Sequence, residues 1–93
     1  MTDSLTLHIR LFASLRDAAG WSDRSVQAPG DATPLHLWQQ LELAAVWPGD
    51  AGHGGGTGLP EGLRVAINQA FAAADTPLAD GDELAFLPPI SGG

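Results

Sequence analysis

Residues 5–12 alternate strictly, with Leu5, Leu7, Ile9 and Leu11 on one face and Thr6, His8, Arg10 and Phe12 on the other. A period of two predicts a half-buried strand. Residues 13–20 follow as a turn or short helix, closed by Gly20, a residue free to take positive φ. A weaker second strand is predicted over 24–28, stopped by Pro29 and Gly30.

The period then changes. Thr33 followed by Pro34 reads as a helix N-cap with proline at the first helical position, where the missing N–H removes no bond. Trp38, Leu41 and Ala45, with Leu37 and Ala44 beside them, form an apolar stripe at spacings of three and four, which predicts a helix to about Val46. Residues 48–62 contain seven glycines among fifteen positions and predict a flexible loop. Those glycines do not form a phosphate cradle. A P-loop needs Gly-Lys-Ser/Thr opening a helix and the chain has no lysine, while G-x-G-x-x-G matches nowhere in the segment.

Alternation returns at Leu63, Val65 and Ile67, and Asn68-Gln69 turns the chain into a short strand over 70–72. Asp80-Gly81 supplies a tight turn before the last strand, 83–87, with Leu84 and Phe86 on one face and Ala85 and Leu87 on the other. The order strand, strand, helix, strand, short strand, strand predicts an α+β domain over 1–93: a mixed sheet of four to five strands with one main helix across one face. In a β-grasp arrangement the first and last strands lie side by side at its centre.

With the helix on one face, apolar residues on the other need a reason. Phe12 and Leu87 point there by alternation, and Phe71 sits on the short strand nearby. Such a patch predicts an interface.

Composition narrows the chemistry. There are 93 residues, no cysteine, 44% apolar content and a formal charge of −7, from eleven acids against four arginines. A nucleic-acid backbone would be repelled. No apolar run reaches the roughly 18 residues of a membrane span and the first residues carry no basic leader pattern, so a cytoplasmic protein is expected. His8, His36 and His53 fall on separate elements, which argues against a metal site. Asp80 and Asp82 are explained by their turn, and no nucleophile motif is present.

What remains is the end of the sequence: Pro88, Pro89, Ile90, Ser91, Gly92, Gly93. The prolines stiffen the base of an extended tail over 88–93, and the glycines let backbone enter a channel too narrow for a Cβ. Six residues reach at most about 20 Å at roughly 3.3–3.6 Å each. The competing reading is a frayed, unreactive chain end.

Three segments carry a family resemblance: Leu11-Phe12-Ala13-Ser14-Leu15-Arg16-Asp17-Ala18-Ala19-Gly20, then Val65-Ala66-Ile67-Asn68-Gln69, then Pro77 through the Asp80-Gly81-Asp82 turn to Phe86-Leu87-Pro88-Pro89-Ile90-Ser91-Gly92-Gly93. In these the chain resembles the small subunits of molybdopterin synthase, MoaD-type sulfur carriers of the ubiquitin-like β-grasp family. Ser91 stands where that family often has threonine, and the glycine-rich loop carries no family motif.

The resemblance implies a non-catalytic, sulfur-donating subunit of a sulfurtransferase. Gly93 would be adenylated by an ATP-using activating enzyme, converted to a thiocarboxylate with sulfur from a donor system, and read by the large synthase subunit, which builds molybdopterin from precursor Z. Gly92 would give the tail passage, and Arg16, Phe71 and Leu87 would meet the large subunit together with Phe12 and the tail residues Pro88, Pro89, Ile90 and Ser91. A two-plus-two heterotetramer is implied, and no stably bound cofactor or metal. Three alternatives stand beside this: a ubiquitin-like protein modifier conjugated through Gly93, a thiamin-thiazole sulfur carrier, and a structural binding module.

Overall fold

The structure is a computed structural model and describes residues 4–47, 59–60 and 62–88. In chain order the elements are β1 (Ser4–Leu11), α1 (Ala13–Ala19), β2 (Asp23–Pro29), α2 (Pro34–Gln40), a single 3₁₀ turn (Leu43–Ala45), β3 (Arg64–Ile67), β4 (Ala70–Ala72) and β5 (Glu83–Leu87). The five strands form one sheet in the order β2-β1-β5-β3-β4. β1 and β5 are parallel neighbours, and every other pairing is antiparallel. This is the β-grasp arrangement, with the first and last strands side by side as expected of it.

Leu5, Leu7, Ile9 and Leu11 of β1 and Leu84 and Phe86 of β5 turn towards the helices and are buried. Leu15 of α1, Leu37 and Trp38 of α2, and Leu43 close the core over them. The Trp38 ring meets Phe86 edge-on at 5.3 Å and Trp47 at 5.8 Å, geometries aromatic quadrupoles favour. Trp21 packs against the cluster from the side and receives the Arg24 guanidinium 4.4 Å above its ring.

The helical layer differs from the periodicity. Thr33 caps α2 as expected, its Oγ1 accepting from His36 N at 3.3 Å with Pro34 in the first turn. The helix ends at Gln40, however, because Glu42 adopts a left-handed conformation (φ 55, ψ 36). A continuous helix to Val46 would have aimed Ala45 inward. The turn at Glu42 instead buries Leu43 and leaves Ala44 and Ala45 exposed. A leucine removes more apolar area from water than an alanine, enough to offset the roughly 1–2 kcal/mol of a left-handed non-glycine residue. Residues 13–19 form a helix as long as α2, so two short helices share the face assigned to one. Gly20 ends α1 at φ 85 and donates its N–H to Arg16 O at 3.0 Å.

Most of the glycine-rich segment, 48–58 and 61, lies outside the described residues, and its predicted flexibility with it. Its other end is anchored: Leu59 and Pro60 are buried. Among the described residues no helix is long and apolar enough to cross a membrane.

Candidate functional site: a socket at the base of the tail

The face of the sheet away from the helices is built by the same alternation that builds the core. Register places Arg10 opposite Ala85, Ala85 opposite Ala66, and Ala66 opposite Phe71, giving one transverse row across four strands. Its middle is two methyl groups and its ends are long side chains. The result is a depression of about 300 Å³ with Ala66 and Ala85 as its floor and Arg10, Phe12, Phe71 and Leu87 among its walls. Both alanines are buried although neither belongs to the core cluster; the taller side chains around them exclude water.

Each of the two phenylalanine walls of this socket has an arginine over its ring. The Arg10 guanidinium lies 5.2 Å from the Phe12 ring centre, and that of Arg64 lies 5.4 Å from Phe71. Arg10 also reaches Glu83 at 3.7 Å. Phe71 is 70% exposed, the large hydrophobic residue most open to water among those described. It also borders a second depression, about 370 Å³, between β4 and the stretch from Leu59 to Val65.

One end of the socket is held by a hairpin and a turn. Asn68 and Gln69 both have positive φ (52 and 71), the signature of a type I′ hairpin turn between β3 and β4. Asn68 then ties that hairpin to the Asp80-Gly81-Asp82 turn: its Nδ2 donates to Asp82 Oδ1 at 2.9 Å, and its Oδ1 accepts from Glu83 N at 3.0 Å. Asp82 Oδ2 accepts from Ala79 N at 2.8 Å, and Asp80 Oδ1 from Thr6 N at 2.7 Å. Gly81 supplies the positive φ of 88 that the turn requires. The Asp82 carboxylate is thus engaged within the turn, while that of Asp80 ties the turn to β1.

Phe12, Phe71 and Leu87 meet in the socket. Arg16 does not join them: on α1 it pairs with its neighbour Asp17 at 3.6 Å and lines a separate shallow depression with Gly20, Trp21 and Ser22. Pro88 is buried at the end of β5, where it has no N–H to extend the ladder. Pro89, Ile90, Ser91, Gly92 and Gly93 lie outside the described residues. Reading the sequence for large apolar residues misses Arg10, Gln69 and Glu83, which also line the socket, and the alanine floor. All but Gln69, which belongs to the β3–β4 turn, share the period of a strand already identified: Arg10 stands two before Phe12, and Ala85 two before Leu87.

Among the described residues the histidines stand apart from the socket. His8 Nε2 stands 3.9 Å from Asp23 Oδ1, and His36 Nε2 lies 3.2 Å from Gln40 Oε1; His53 lies outside the described residues. Among the described residues no three His, Cys, Asp or Glu side chains are placed to hold a metal ion. The arrangement is suited to contact, and its geometry sets the contact beside the point where the chain leaves β5.

Comparison with known proteins agrees along almost the whole length. The profile of the ThiS family matches residues 9–93. A molybdopterin synthase sulfur carrier subunit of Haemophilus influenzae is 31% identical over 91 residues, which is 94% of this chain and 99% of that protein. Its Escherichia coli counterpart is 55% identical over a stretch of 31 residues, 33% of this chain and 38% of that protein. Among solved structures, the small archaeal modifier protein 1 of H. volcanii superposes with a TM-score of 0.74 at 31% identity, covering 92% of this chain and 99% of that one.

Proposed function

Because the chain belongs to the ThiS family, we propose that it is the sulfur-carrying subunit of a molybdopterin synthase, with Gly93 bearing the sulfur. The observation that carries this is positional. Leu87 is at once a wall of the socket and the last residue of β5, so a partner seated on the sheet takes hold of the chain where the tail begins.

The chemistry follows from the terminal carboxylate. With an ordinary pKa of about 3.3–3.7 it is an anion at neutral pH. It attacks the α-phosphate of ATP on an activating enzyme, and pyrophosphate leaves. A sulfur nucleophile from a donor system then displaces AMP from the acyl adenylate, leaving a thiocarboxylate. The large synthase subunit draws in the tail and passes the sulfur to precursor Z. A dithiolene needs two sulfur atoms, so two loaded carriers serve each product, consistent with a two-plus-two assembly in the cytoplasm. In this scheme the chain is cargo carrier, and its partner is the catalyst. The fixed φ of proline at 88 and 89 favours an extended tail base, which would lower the entropy lost on threading, with Ile90, Ser91 and Gly92 as a thin leader for Gly93.

The likeness to a small archaeal modifier protein supports a second reading, in which the same adenylate leads to an isopeptide bond with another protein's lysine. Intact-mass analysis of the protein from its own host separates the two. A species with one oxygen replaced by sulfur, reactive to thiol alkylators although the chain has no cysteine, is the expected result. Adducts on lysines of other proteins, with no thiocarboxylate, favour the modifier. Deleting Gly93 is expected to abolish sulfur transfer while the fold and large-subunit binding persist.

A further inference from the structure

The four arginines differ in what holds them. Arg10 reaches Glu83 and Arg16 reaches Asp17, while Arg24 and Arg64 lie over Trp21 and Phe71 and, among the described residues, meet no carboxylate. Arg24 stands opposite Ile9 on the helix side of the outer strand β2, away from the socket. Arg64 stands on the open face, directly opposite Leu87, and is exposed.

We propose that Arg64 is a specificity-determining residue: its guanidinium, presented on the Phe71 ring, receives a carboxylate of the large synthase subunit beside an apolar side chain of that subunit seated on Ala66 and Ala85. The proposal rests on the carrier reading above and names what the carrier's face selects. A guanidinium held over an aromatic ring keeps N–H groups free for a bidentate carboxylate. Its backbone is fixed, since Arg64 begins β3 and pairs with β5. The charge of −7 opposes an acidic partner surface in general. A cation opposite Leu87 that meets no carboxylate among the described residues reverses that locally, so a carboxylate is accepted at this position and disfavoured elsewhere.

A nucleotide phosphate is the wrong occupant. Gly93 is the sixth residue beyond Leu87, and an extended tail would carry the reacting carboxyl up to about 20 Å from the sheet. The group that Arg64 meets therefore belongs to the surface on which the globular body rests.

The test is a binding titration of the full-length chain against the large synthase subunit of the same organism, at low and at high salt. Arg64→Glu is expected to weaken binding about tenfold or more at low salt. Arg24→Glu makes the same change in net charge at a remote position and is expected to leave affinity within about twofold, below the size of one buried charge contact. Arg64→Gln, which keeps the stem on Phe71 and cannot disturb the core, is expected to lose affinity in the same direction, and Arg64→Lys to lose less. Equal losses at Arg24 and Arg64, or unchanged affinity in Arg64→Gln, overturn the proposal while leaving the carrier reading intact. Failure of the unaltered chain to bind the large subunit overturns both.

Discussion

Asn68 and Asp82 join two turns that are fourteen residues apart: the Asn68 amide donates to one Asp82 carboxylate oxygen at 2.9 Å, and its own carbonyl oxygen accepts from the neighbouring Glu83 N–H at 3.0 Å. Because Asn68 also tolerates the left-handed conformation that the β3–β4 hairpin imposes (φ 52), it satisfies backbone and side-chain demands together. Asn68→Ala is expected to destabilise the fold by about 1–2 kcal/mol, the loss of two exposed hydrogen bonds at a strained position. At about 4–8 °C per kcal/mol for a domain this size, thermal unfolding will show it plainly.

Gln69 is the opposite case. Its φ of 71 is strained for a residue with a Cβ, and glycine is preferred beside asparagine in this turn. Gln69→Gly is expected to relieve strain worth about 1 kcal/mol, part of it offset by the greater freedom of glycine in the unfolded chain. A raised urea midpoint at constant slope checks it. The same change removes a socket wall, so stability and partner affinity are expected to move in opposite directions.

Phe71 and Phe86 separate contact from folding. Phe71, largely exposed, is expected to leave stability within about 0.5 kcal/mol when replaced by alanine, while large-subunit affinity falls at least tenfold by titration. Phe86 is fully buried against Trp38, and Phe86→Ala is expected to lose about 3–5 kcal/mol, which chemical denaturation measures.

Ala85→Leu fills the socket from its floor. The side chain points into the depression and away from the core cluster, so the melting temperature is expected to change little. Large-subunit binding is expected to be lost, because the volume that would accept the partner's apolar side chain is taken. A large fall in melting temperature would instead show that Ala85 is close-packed.

The sheet was legible because β1 and β5 alternate without a break, which gives their faces, while their pairing and central place follow from the β-grasp arrangement that the order of elements suits. The turn at Asp80-Gly81 was legible for a similar reason: few residue pairs meet its backbone demands. The break at Glu42 was hidden, since a helical stripe counts Ala44 and Ala45 as apolar and gives no weight to the larger gain from Leu43. Arg16 follows Phe12 closely in sequence, yet α1 carries it into a different depression. The socket floor was hidden most completely. An alanine carries no hydrophobic or charged signal, and Ala66 and Ala85 become a feature only through the height of the side chains that register sets around them.

The placement of β5 has a mechanical consequence. A tail drawn into a partner and later withdrawn transmits force along the strand from which it emerges. β5 is bonded on one side to β1, running parallel, and on the other to β3. A pull along its axis therefore loads both ladders in shear, many bonds at once, whereas an outer strand such as β4 can be peeled one bond at a time. If the chain is the carrier proposed above, the handle by which a partner takes hold of it is fastened to a strand bonded on both sides, so repeated loading and release need not disturb the fold.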